Sequence, residues 1–130
     1  MSKQWSSKKK QAVWDKTGGM CWYCGKQLVI GNAKDAESRK LIRQWFCIDH
    51  VIPKTKGGSN KLENLLPACW ICNATKCYRS LEDYRMLLAV RELDIPYFRP
   101  EQVSWLRNRG FDFIELEAIK FWGELQGIRV

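Results

Sequence analysis

The 130 residues hold a single histidine, His50, with a carboxylate, Asp49, directly before it. Asn64 follows fourteen residues after His50 and Asn73 twenty-three after it, the latter abutting the pair Cys69-x-x-Cys72. A second such pair, Cys21-x-x-Cys24, lies upstream. Two kinds of chemistry suit these residue types. Two Cys-x-x-Cys knuckles can form a tetrahedral thiolate cage for Zn²⁺, structural because four protein ligands leave no open position. A histidine among oxygen donors suits phosphodiester hydrolysis, which needs a base to activate water and a cation to stabilise the leaving oxygen. Asp49 offers a hard oxygen to Mg²⁺. Asn73 offers an amide oxygen, and its neighbour Cys72 would hold it rigidly.

A lone histidine more often serves structure than catalysis, and only the neighbours of His50 argue otherwise. Adjacent residues on a regular strand also point to opposite faces. Asp49 and His50 can therefore share one site only where their strand ends or twists, or if they reach a phosphate from different sides. The remaining cysteines, Cys47 and Cys77, read as small buried hydrophobes. A redox role for Cys21 and Cys24 is not supported, because no βαβ pattern surrounds them.

The elements that must position these residues follow from local signals. Ser6 or Ser7 can cap a helix through Lys16, with Val13 and Trp14 facing inward and Gly18-Gly19 as its stop. Gly25 permits the tight turn of the first knuckle, and Gln27 to Ile30 reads as a strand. Gly31–Gln44 is a polar excursion with one helix expected over Asp35–Arg43. Trp45-Phe46-Cys47-Ile48 is strand-type and leads into Asp49 and His50. Pro53–Asn60 is a loop turning at Gly57-Gly58, and a helix is expected from Asn73 through Arg79. Beyond Ser80, helical spacing marks Leu81, Tyr84, Leu87, Leu88 and Arg91, ending before Pro96. Two more helices are expected over Pro100–Asn108 and Phe113–Leu125.

The charge is uneven. The net +8 comprises fifteen Lys and Arg against five Asp and Glu over residues 1–80, and seven against nine beyond. The basic part carries the motifs, so an anionic polymer is the natural partner. Lys54, Lys56, Lys61, Lys76 and Arg79 flank the candidate site, while the trio Lys8, Lys9 and Lys10 reads as a solvated face. The seven Trp and nine Phe and Tyr residues are expected in the core. No run approaches the ~18 apolar residues of a membrane span, and the first ten residues have no apolar signal core. The expected location is therefore cytoplasmic, where paired Cys-x-x-Cys motifs favour metal over disulfides.

Taken together, Asp49-His50-Val51-Ile52-Pro53, Gly57-Gly58-Ser59-Asn60, Asn64-Leu65 and Cys69-x-x-Cys72-Asn73, with Cys21-x-x-Cys24-Gly25 upstream, resemble the zinc-stabilised subgroup of the HNH endonucleases. The resemblance covers roughly residues 10 to 79. It implies an α+β fold: a ββα-metal core over residues 1–79 with a structural four-cysteine zinc, then a helical extension over 80–130 packed on the core or on a partner subunit. It implies that Asp49 and Asn73 bind one divalent cation beside the scissile phosphate and that His50 is the general base. Asn64 would brace the loop and help orient His50, and Lys76 would lie near the phosphate. Nucleic acid would be met by Lys54, Lys56, Lys76 and Arg79. Asparagine stands at position 73 where many members carry histidine, which favours Mg²⁺ or Mn²⁺ over softer metals.

The expected activity is metal-dependent hydrolysis of DNA, one strand per site, so that a double-strand break needs a homodimer or two encounters. Two rivals stand beside it. A zinc-ribbon module that binds nucleic acid without catalysis explains the cysteines and the charge, but not Asp49, His50, Asn64 and Asn73 at these spacings. A nuclease of the same fold acting on RNA meets the same phosphate.

Overall fold

The computed structural model describes residues 5–92, 99–110 and 119–130. The chain divides into two compact units, Met1–Tyr78 with Phe121–Val130, and Arg79–Lys120. The architecture is mixed: helices with one two-stranded antiparallel sheet, and further helices after that core.

In the first unit, helix α1 (Ser7–Asp15) starts where Ser6 Oγ accepts the Lys9 N–H at 3.1 Å, and it buries Val13 completely. Two lone bridges, Met20 with Gln27 and Val29 with Trp45, stand where a strand over Gln27–Ile30 was expected. Helix α2 (Ala36–Lys40) is shorter than the expected Asp35–Arg43. Asp35 is its N-cap, accepting the Glu37 N–H, and a single 3₁₀ turn over Ile42–Gln44 takes its place downstream.

Strand β1 (Phe46–His50) pairs antiparallel with β2 (Leu65–Cys69), Asp49 opposite Leu66 and His50 opposite Leu65. Every residue of β2 is buried, and at about 1.5–3 kcal/mol per fully buried aliphatic side chain, Leu65 and Leu66 are major holds on this sheet. Helix α3 (Trp70–Lys76) follows β2 without a break, which completes the ββα succession. It begins three residues earlier than expected and ends at Lys76, so Asn73 sits in its middle rather than at its start. Cys77 terminates it at φ +53, with its N–H on the Asn73 carbonyl at 2.9 Å.

The last ten residues, grouped with the extension in the sequence reading, belong to the first unit. Helix packing alone does not explain their place; burial of Phe121 does. Phe121 is 2% exposed and packs edge-on to Tyr23 at 5.1 Å and tilted to Trp22 at 5.7 Å. Extended backbone at Phe121 then delivers the Trp122 and Gly123 N–H groups to the carbonyls of Tyr23 and Trp22. The helix expected over Phe113–Leu125 is thus interrupted: residues 113–118 lie outside the described residues, Phe121 is extended, and a short helix covers only Trp122–Leu125. Tertiary burial has overridden helical propensity here.

In the second unit, the helices over Leu81–Glu92 and Pro100–Arg107 pack around Met86, Ala89, Val90, Val103 and Ile119. Pro96, expected as a helix stop, lies outside the described residues. No helix among the described residues is long and apolar enough to cross a membrane.

Candidate active site

The four cysteines expected to form a cage come together. The ligand atoms of Cys21, Cys24, Cys69 and Cys72 all lie within 4.8 Å of one another. Cys24 and Cys69 sulfurs are 3.8 Å apart, which is the edge of a tetrahedron built on Zn–S bonds of ~2.3 Å. The local chain makes this possible. Gly25, at φ +79, turns the first knuckle so that its N–H reaches the Cys21 carbonyl at 2.9 Å. The Trp22 N–H then bonds Pro67 on β2 at 2.9 Å, bringing the first knuckle to the second. Crowding splits the thiols. The Cys21 thiol lowers the Cys24 pKa to about 7, and a bond from Cys21 also depresses Cys69. Cys21 and Cys72 are pushed up, each chiefly by its bonds to the neighbouring sulfurs. Four sulfurs that want to share negative charge this closely fit a bound cation.

Beside this cage opens a cleft of about 500 Å³ bordered by Asp49, His50, Lys54, Asn73, Cys77 and Tyr78, among others. Asp49 and His50 are the last two residues of β1, and strand alternation holds for them. Asp49 turns inward, 3% exposed: its Oδ2 accepts the Tyr23 hydroxyl at 2.5 Å and lies 3.2 Å from Lys76 Nζ. His50 turns the other way, half-buried, its Nε2 at 2.8 Å from Asn60 Oδ1. Both still border the one cleft because the strand stops there.

Asn64 braces the loop. It is 7% exposed, its Oδ1 accepts the Ile52 N–H at 2.9 Å, and its Nδ2 donates to the carbonyls of Ile52 (3.1 Å) and Ser59 (2.8 Å). Gly58 is required at this crossing: a Cβ there would lie 1.7 Å from the Ile52 carbonyl oxygen. Asn64 makes no bond to His50, however. The residue on the imidazole is Asn60, which the sequence reading did not single out.

Lys76 departs furthest from expectation. Expected near a phosphate, it is fully buried, with Nζ 2.9 Å from the His50 carbonyl and 3.4 Å from that of Val51, in addition to its ion pair with Asp49. A buried ammonium must be paired and hydrogen-bonded, and these groups do that. Burial pushes the Asp49 carboxyl up, and Lys76 pulls it back. Asn73 borders the cleft with its amide against the Cys47 thiol, which burial raises. Lys54 and Lys56 are exposed on a 3₁₀ turn, Lys54 at the cleft itself, and Arg79 is the first residue of the second unit. Tyr23, Asn60 and Lys76 thus support the site in ways no local pattern announces, since each acts across ten or more positions of the chain.

The ββα succession, the four clustered cysteines and the cleft at the end of β1 all lie in the first unit. Residues 21–79 match the family model described as HNH endonuclease. The matched segment holds all four clustered cysteines together with Asp49, His50, Asn64 and Asn73. No curated protein and no solved structure matches the chain.

Proposed function

We propose that the protein is a metal-dependent DNA endonuclease in which His50 is the general base. The observation that carries this reading is the convergence of His50, Asp49 and Asn73 on one cleft, in a segment that matches the HNH endonuclease family model. In it, the neutral His50 imidazole takes a proton from water as the water oxygen bonds to phosphorus. The bond from phosphorus to the departing sugar oxygen breaks, and that oxygen takes up a proton from solvent water. Asp49 and Asn73, an oxygen set suited to Mg²⁺ or Mn²⁺, would hold one divalent cation, which neutralises charge at the phosphate and the leaving oxygen. Lys54 and Lys56 meet the backbone phosphates, contacts that position the strand without reading its sequence. One cleft cuts one strand, so the first product from supercoiled plasmid is nicked circle.

The four-cysteine zinc takes no part in this chemistry. It ties the segment around Tyr23, which bonds Asp49, to the start of α3, which carries Asn73. The test is plasmid nicking by wild type and His50→Ala with and without Mg²⁺, with single-stranded RNA as a parallel substrate. Cleavage of RNA alone would exchange the substrate and leave the role of His50 intact.

A further inference from the structure

We infer that Asn60 is the positioning residue of His50, and that α1, which lies outside the family-matched segment, holds Asn60 in place. The inference rests on the reading of His50 as the base. An amide oxygen can only accept, so with Asn60 Oδ1 at 2.8 Å the His50 Nε2 carries the proton. The lone pair left for water is then on Nδ1. Selection of one tautomer by the partner of the other nitrogen is a general way to prepare a histidine for proton transfer. Among the described residues, that hydrogen bond to the ring is the only one the Asn60 side chain makes.

Asn60 does not hold this pose by itself. Its carbonyl accepts from Lys9 Nζ at 2.8 Å, a contact spanning 51 positions. Lys16, the C-cap at the other end of this helix, donates to the carbonyls of Leu62 and Leu65 at 2.6 Å each. Trp5, just ahead of the helix, lies against the imidazole, ring centroids 5.7 Å apart and tilted by 41°. The segment from Trp5 to Lys16 therefore holds the Asn60 carbonyl and the chain that follows it, and packs against the ring. Lys9, expected on a solvated face, is half-buried and committed to this contact.

The experiment combines kinetics with ¹⁵N NMR of the imidazole, which needs no assignment because the chain has one histidine. With the ring neutral, wild type should show Nε2–H. Asn60→Ala should lose that preference and lower kcat about tenfold or more, with KM for DNA and zinc content unchanged. Asn60→Asp keeps an acceptor and should restore most of kcat and the Nε2–H tautomer. Lys9→Met should lower kcat rather than raise KM. An Nδ1–H tautomer in wild type, or Asn60→Ala at wild-type kcat while His50→Ala is inactive, overturns the positioning role and leaves the base intact. An active His50→Ala overturns the base, and this role with it.

Discussion

Lys76 Nζ lies 3.2 Å from Asp49 Oδ2, and both side chains are closed to solvent, 0% and 4% exposed. The cation that the sequence suggests for a phosphate is instead the counter-charge of a carboxylate that borders the cleft. Removing either partner leaves a buried charge uncompensated, at a cost of about 3–5 kcal/mol, whereas replacing both with apolar groups is often neutral. Asp49→Leu and Lys76→Met should each destabilise the zinc-loaded protein by about that amount in urea unfolding, and the double variant by clearly less than their sum. Additive losses would mean the two are not coupled. Because truncation of Asp49 mixes folding with chemistry, Asp49→Asn is the cleaner probe of its part in cleavage.

The thiolate cage should hold about one zinc per chain in protein purified without added metal. Chelation, or Cys69→Ser, should unfold the first unit, seen as loss of near-UV circular dichroism from Trp22 and Tyr23, both buried beside the cage. A zinc-free wild type with an intact near-UV spectrum would contradict this.

Much of the site was legible because its spacings are local or repeated. Two Cys-x-x-Cys pairs announce a cage, and Asp49-His50 before a Pro and Gly-Gly turn announces a strand end. What stayed hidden is long-range. Nothing in the knuckle Cys21-Trp22-Tyr23-Cys24 says that Tyr23 points its hydroxyl at Asp49, 26 positions on. Nothing in the spacing of Asn60 and Asn64 says which one meets the imidazole: Asn64 is spent on three backbone groups, which leaves Asn60 for the ring. The C-terminal helix was misread because local periodicity cannot see that Phe121 is buried against Trp22 and Tyr23.

Asn64→Ala should leave the Ile52 N–H and two carbonyls without partners inside the loop, a loss of about 1–3 kcal/mol per stranded group at most. Its melting temperature should fall by several degrees, with zinc content preserved. An unchanged melting temperature would mean that the loop does not depend on Asn64.

Charge reversal ranks the surfaces. Lys54→Glu, at the cleft, should weaken DNA binding and flatten its salt dependence, since each phosphate contact contributes a slope of about 0.9 for duplex DNA. Arg109→Glu should do less, because Arg109 stacks on Trp105 at 3.8 Å and bonds its carbonyl. Binding measured across a salt series checks both, and the reverse order would move the DNA surface to the second unit.

The most direct measurement is the rate at which His50→Ala nicks supercoiled plasmid in Mg²⁺, beside wild type and matched for zinc content and DNA affinity. General-base catalysis contributes about 10² to 10⁴-fold, so the variant should nick at least about a hundredfold more slowly with fold and zinc unchanged. Nicking by a folded, zinc-loaded His50→Ala at near the wild-type rate would contradict the account, and a zinc-clamped nucleic-acid binder would describe the protein better.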